Sequence, residues 1–186
     1  MAIRDSPNYK WRLVAVLFLV ATLNYADRGA LAVVFPLLRV DLGMSDLALA
    51  AVGSLFLWSY ALCSPFAGLI GDRLSRSAVV TWGLAAWSLV TFLTGFVPSS
   101  RWLLGMRVLL GIAESLYIPA SLALIADYHT SRSRAMAMGI HLSGFYVGTI
   151  AGSTMTGFLA DRWGWRPSLF ILGGAGLLLV VLCRLT

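Results

Sequence analysis

Residues 11–38 read WRLVAVLFLVATLNYADRGALAVVFPLL. After Arg12 the stretch is almost wholly apolar except for one cluster at its centre, Asn24-Tyr25-Ala26-Asp27-Arg28. Roughly 20 predominantly apolar residues are what a helix needs to cross a bilayer core of ~30 Å. The run from Leu13 is too long for a cleavable leader and shows no small-residue cleavage pattern before Asn24. It therefore predicts a spanning helix that carries an acid and a base inside the hydrocarbon. Such groups are costly there and mark function more often than packing.

The rest of the chain repeats the pattern. Of 186 residues, 59% are hydrophobic and only 12% charged, with a mean hydropathy of +0.84. A soluble domain is about half apolar and a quarter charged. Apolar runs at about 11–38, 47–71, 77–97, 101–128, 132–160 and 167–184 alternate with short polar loops. The expected fold is an all-α membrane protein, one bundle of six transmembrane helices filling residues 1–186. The net charge of +6 would point to nucleic acid in a soluble protein. Here the basic residues sit between the apolar runs, so no nucleic-acid partner is expected. With the amino terminus inside, Arg4, Lys10, Arg12, Arg73, Arg76, Arg132, Arg134 and Arg184 fall on the cytoplasmic side. Arg39, Arg101, Arg162 and Arg166 fall outside, which favours both termini in the cytoplasm. Cys63 and Cys183 lie within apolar runs and form no metal or disulfide motif.

Gly68-Leu-Ile-Gly-Asp72-Arg73 closes the second run, and Gly157-Phe-Leu-Ala-Asp161-Arg162 closes the fifth, 89 residues later. The offset superimposes spans one to three on spans four to six. An odd number of spans per copy makes the copies run in opposite directions. Two inverted three-helix repeats are an architecture of secondary transporters, with binding sites near the midplane at the repeat interface.

The fourth span carries Arg107 and Glu114, two turns and ~10 Å apart on one face, with Gly111 between them leaving room for a side chain or a ligand. Asp27 lies fifteen residues beyond Arg12, ~22 Å into the ~30 Å core and level with Arg107. An Asp27–Arg107 pair between the first and fourth spans is expected. Arg28 and Arg107 would hold an anionic substrate, since a guanidinium matches a carboxylate bidentately. Glu114 and Asp27 are candidates to carry a proton, Asp27 releasing Arg107 when protonated. The bland alternative is a charge network that only fixes packing.

Gly144, Gly148 and Gly152 form a small-residue ridge on the fifth span, either a packing face or a sliding gate. Pro36 and Pro119 should kink the first and fourth spans or free carbonyls there. His141 reads as a satisfied polar residue before a proton relay, and His129 falls in a cytoplasmic loop. Trp11, Trp102, Trp163 and Trp165, near span ends, read as interfacial anchors. No nucleophile elbow, metalloprotease motif or phosphate loop is present, so no enzyme chemistry, catalytic residue or metal site is expected.

These residues resemble the major facilitator superfamily. Gly68-Leu-Ile-Gly-Asp72-Arg73-Leu-Ser-Arg76 is similar to its loop signature, with Ser75 where a glycine is usual. Arg107-x-x-x-Gly111-x-x-Glu114 resembles the fourth-helix motif of proton-coupled members, and Gly164-Trp-Arg166 is a further familiar step. Asn24-Tyr-Ala-Asp27-Arg28 resembles the first-helix motif of the anion:cation symporters, which import sugar acids and other organic anions with protons. The resemblance implies Tyr25 and Arg28 at the substrate, Asp27 and Glu114 as proton carriers, and Arg107 as their partner. It implies proton-coupled uptake of a small carboxylate across the cytoplasmic membrane, the proton as coupling ion and no other cofactor. Pro119-Ala-Ser-Leu-Ala-Leu-Ile-Ala-Asp127-Tyr is similar to the spinster-like branch, which implies lysolipid or sphingolipid export instead. The fifth span lacks the Gly-Pro pair of drug:proton antiporters. Members of the superfamily have two six-helix halves, so a carboxy-terminal half or a second copy is the expected partner. Asp72 and the glycine ridge are expected to face it. A non-transporting orphan half or interaction subunit is the remaining alternative.

Overall fold

The computed structural model describes the backbone from Pro7 to Leu185 and the side chains of residues 9–67 and 74–184. Among the described residues eight helices follow one another: α1 (Pro7–Val33), α2 (Phe35–Asp41), α3 (Asp46–Arg73), α4 (Arg76–Thr94), α5 (Ser100–Ser115), α6 (Tyr117–Tyr128), α7 (Ser131–Trp163) and α8 (Arg166–Leu185). No strand occurs among the described residues.

Two of the predicted spans are each divided in two. Residues 11–38 break at Val34 into α1 and α2, two residues before Pro36. There the Val34 N–H turns tightly onto Leu31 O at 3.3 Å, since the proline ring lacks an N–H and crowds the preceding turn. Residues 101–128 break at Leu116, three residues before Pro119. Pro65, inside α3, does not interrupt its helix.

Among the described residues, five segments are long and apolar enough to cross a membrane: Tyr9–Val33, Asp46–Ala67, Arg76–Thr94, Ser100–Tyr128 and Arg166–Arg184. α7, expected as the fifth of six spans, is the longest helix but is not one of these five. Its buried stripe is Ala137, His141, Gly144, Gly148, Gly152 and Thr156. Small and polar residues replace the large aliphatic ones there, so α7 meets its neighbour by close backbone approach and its hydropathy drops.

The most extensive helix pairs are α1 with α7, α3 with α5, and α4 with α8. Numbered by rods, with α1–α2 and α5–α6 each taken as one, these are pairs 1–5, 2–4 and 3–6. Exchanging the first three rods with the last three turns 1–5 into 4–2 and leaves 3–6 unchanged. The packing thus carries the inverted symmetry that the Gly-to-Arg repeat predicts.

Glycines set the closest crossings. A Cβ on Gly152 of α7 would stand 2.6 Å from Ala26 O of α1, and one on Gly144 would stand 2.8 Å from Phe18 O. Gly148 meets Thr22 of the same helix still more closely. The ridge expected to face a second half is therefore occupied by α1. A small-residue stripe encodes close approach and not the identity of the helix that approaches. The opposite side of α7 is the open one, with Tyr146 76% and Ile150 69% exposed.

The bundle is tied at both ends. At one end Trp165 Nε1 donates to Asp41 Oδ2 (3.0 Å), and Arg166 pairs with the same oxygen (3.5 Å) while donating to Val97 O (3.3 Å). This joins α2, the end of α4 and the start of α8. Trp165 is 1% exposed, a core residue and not an interfacial anchor, because its indole N–H finds a carboxylate inside the bundle. Trp102 and Trp163 are exposed. At the other end Arg76 pairs with Asp127 and donates to Ala123 O (3.2 Å). His129 is buried there, bonded to Ser133 Oγ (3.0 Å) and edge-on to Trp11.

Candidate functional site

Asn24, Asp27 and Arg28 are spaced i, i+3, i+4 and share a face of α1. In the core, the large buried apolar residues of α1 fall into two groups: Val14, Leu17 and Val20 on one side, Leu31 and, beyond the break, Val34 and Leu38 on the other. The polar cluster lies between them. α5 brings Arg107 and Glu114 to it, α3 brings Phe56 and Tyr60, and α4 brings Thr91. Asn24 and Glu114 are fully buried, with Asp27 3% and Arg107 4% exposed.

The pairing differs from expectation. Arg28 Nε, not Arg107, makes the ion pair, donating to Glu114 Oε2 at 2.8 Å. Asp27 Oδ2 accepts from the Thr91 hydroxyl at 3.0 Å. Arg107 bonds neither acid: its Nε and Nη2 are buried without a hydrogen-bond partner, although the charges of Glu114 and Asp27 both act on it. Equal depth brings residues close, but the crossing of α1 over α5 and the choice of rotamer decide who pairs, and neither is written in helical spacing.

Arg28 is held by more than its ion pair. Its guanidinium lies 4.7 Å from the Tyr25 ring centroid and 4.9 Å from those of Phe56 and Tyr60. Tyr25 is itself stacked on Phe145 of α7 at 4.1 Å. Three rings around one cation fix its place and contribute attraction that strengthens as water is excluded. Beside Arg28 and Arg107 opens a cavity of about 90 Å³, otherwise walled by Leu31, Ala32, Phe35, Val52, Gly53 and Phe56. Gly111, expected to leave room for a ligand, serves α3 instead, since a Cβ there would stand 2.5 Å from Phe56 O and 3.0 Å from Tyr60 N.

Thr91, Phe56 and Tyr60 do not stand out in the sequence. A threonine or an aromatic residue in an apolar run carries no local signal of what it will meet. His141 is fully buried, donating through Nδ1 to Leu17 O (3.2 Å) with Nε2 against Ser121 Oγ (3.2 Å). Tyr117 donates to the same carbonyl at 2.8 Å. Both imidazole nitrogens are engaged locally, and His141 joins α1, α6 and α7 away from the charged cluster. Of the loop signature, Arg76 makes the bonds given above, and the surroundings of Gly68 and the side chains of Asp72 and Arg73 lie outside what is described. No group of three or more His, Cys, Asp or Glu side chains able to hold a metal ion occurs among the described residues.

A sequence profile described as Major Facilitator Superfamily matches residues 17–186. The chain is 28% identical over 184 residues to the probable galactarate/D-glucarate transporter GudP of Escherichia coli (strain K12), covering 96% of this chain and 41% of that protein. It is 36% identical over 170 residues to the probable anion transporter 4, chloroplastic, of Arabidopsis thaliana, covering 90% and 32%. It is 35% identical over 176 residues to protein spinster homolog 1 of Bos taurus, covering 91% and 33%. In structure it superimposes on an inward-facing, unoccupied bacterial homolog of the human lysosomal transporter Spinster with a TM-score of 0.86 at 27% identity. That match covers 97% of this chain and 43% of the other. The chain thus spans less than half the length of each of these relatives.

Proposed function

Since the chain belongs to the Major Facilitator Superfamily, we propose that it supplies one half of a carrier that takes up a small organic anion, a sugar acid or similar carboxylate, together with protons. The observation that supports this most is Arg107, a 4% exposed guanidinium with two unpartnered nitrogens beside a cavity it shares with Arg28. A buried cation left without a hydrogen-bonded partner is strongly destabilising, and an anionic ligand relieves that cost. The printed names of the galactarate/D-glucarate and anion transporters agree with a carboxylate.

The proton enters through competition. While Glu114 is ionised it occupies Arg28 Nε. A proton on Glu114 removes the charge that holds Arg28, and a substrate carboxylate then takes both arginines. The aromatic rings keep Arg28 in place during the exchange. Alternating access across the cytoplasmic membrane, both termini inside, completes the reading, with a second six-helix half or a second copy closing the other wall. The chain's part is transport, not enzymatic catalysis.

Lipid export, which the resemblance to the spinster-like branch implies, is the second reading, and the 35% identity to a spinster homolog and the TM-score of 0.86 to a bacterial one support that branch. A thermal-shift panel separates the two. Sugar acids, dicarboxylates, aromatic acids and lysolipids are tested at acidic and neutral pH on the purified chain and on Arg107→Ala. Acid-enhanced stabilisation by an organic anion, lost in the variant, is the expected result. Stabilisation by lysolipid alone, indifferent to Arg107, favours export. No stabilisation by either class sinks the claim that this half holds the site.

A further inference from the structure

Asn24 is the member of the buried cluster that the carrier cycle leaves without a role. It is fully buried and close enough to Glu114 to act on the carboxylate as a hydrogen-bonding neighbour, yet neither its carboxamide oxygen nor its nitrogen completes a hydrogen bond of normal geometry. The two acids near it are each held by one oxygen only. Glu114 Oε2 takes Arg28 and Asp27 Oδ2 takes Thr91, whereas Glu114 Oε1 and Asp27 Oδ1 are buried and unpartnered. The charge of Glu114 acts on Asp27. Polar groups buried in this way are ordinarily satisfied by ordered water that bridges two to four of them.

Building on the proton-coupled reading, we propose that Asn24 is a positioning residue that orients a water between Glu114 Oε1 and Asp27 Oδ1, forming a proton path between the two acids within this half. A carboxamide suits the task. It donates through Nδ2 and accepts through Oδ1 and does not change its own protonation, so it orders a water without adding a third acid. In the transfer, the O–H bond of protonated Glu114 breaks and its proton joins the water oxygen. One of the water's other protons then bonds Asp27 Oδ1. The water is regenerated, Asp27 becomes neutral and Glu114 becomes anionic. Anionic Glu114 is free to re-form its pair with Arg28, so proton passage and release of a substrate from Arg28 are one event. Arg28 on α1 and Arg107 on α5 act on both acids, Tyr60 on α3 faces Glu114, and Tyr25 on α1 faces Arg28 and Tyr60. α4 contributes the Thr91 hydroxyl, and among the described residues no charged group of α7 or α8 acts on either acid.

Infrared difference spectra of the purified chain, acidic minus alkaline, recorded in ordinary and in oxygen-18 water, test this directly. The wild type should show a carboxyl C=O band that Glu114→Gln removes, and a water O–H band that shifts with the heavy isotope. The water band should be lost in Asn24→Leu and kept in Asn24→Ser, which retains a donor and an acceptor, with the Glu114 band present in both. Asn24→Val is the second apolar variant if Asn24→Leu does not fold. A water band that persists in the apolar variant, or disappears equally with serine, overturns the role of Asn24. A Glu114 band with no isotope-sensitive water overturns the path alone, whereas no carboxyl band removed by Glu114→Gln overturns the proton-carrying reading beneath it.

Discussion

Arg107 and Arg28 have the same chemistry in different circumstances. Arg28 is compensated by Glu114 and three aromatic rings and leaves Nη2 unpartnered, whereas Arg107 bonds neither acid and keeps two nitrogens unpartnered in the interior. Truncating one side of a buried, hydrogen-bonded charge pair costs about 2–5 kcal/mol. Arg107→Ala should therefore weaken binding of galactarate at acidic pH by well over ~tenfold in calorimetric titration. Unchanged affinity would show that Arg107 does not touch the anion. Thr91 belongs to the same scale. Thr91→Val strips Asp27 of its one hydrogen-bond partner and should lower stability by about 1–3 kcal/mol, read as a drop in Tm. Thr91→Ser should restore it, because only the hydroxyl matters. The acids and arginines were legible in the sequence, since charge in an apolar run stands out whatever surrounds it. Their partners were not: the Asp27–Arg107 expectation followed from depth alone, and Thr91 looks like any other threonine of a helix interior.

Among the helices, each principal pair has a glycine at its crossing: Gly148 and Gly152 for α7 on α1, Gly111 for α5 on α3, Gly173 for α8 on α4. Adding a methyl group at such a crossing forces backbones apart, and Gly148→Ala should cost about 1–3 kcal/mol. Gly105 of α5 has nothing within 4 Å of where a Cβ would sit. There the same change should be neutral or stabilise by up to ~1 kcal/mol through helix propensity. Opposite Tm shifts for the two variants are the expected outcome, and equal shifts would contradict the packing described. Helix positions were largely readable because apolar runs and prolines are local signals. Both split spans break just ahead of the proline that the sequence flagged. What the glycine ridge packs against was not readable, because any close partner needs the same small residues. Trp165 misled for a related reason, since a tryptophan near a span end has the same local signature whether it faces lipid or Asp41.

At the scale of the whole molecule, the pairs α1–α7, α3–α5 and α4–α8 express an inverted repeat that brings the polar faces of α1 and α5 together in the middle. If both termini lie inside, as proposed from the placement of the basic residues, the α4–α5 loop is outside and the α6–α7 loop inside. A cysteine at Ser99 in a background lacking Cys63 and Cys183 should react with an impermeant maleimide on intact cells. One at Ser131 should react only after permeabilisation, and the reverse pattern would invert the topology. In the proposed cycle a proton on Glu114 frees Arg28 for a carboxylate. The most direct test is the affinity of the purified chain for galactarate at acidic and neutral pH, wild type beside Glu114→Gln. Tighter binding at acidic pH in the wild type, by about tenfold or more, with pH-independent binding in the variant, is the predicted result. A variant that keeps the wild-type pH dependence, or a wild type that binds no better when acidified, would contradict it.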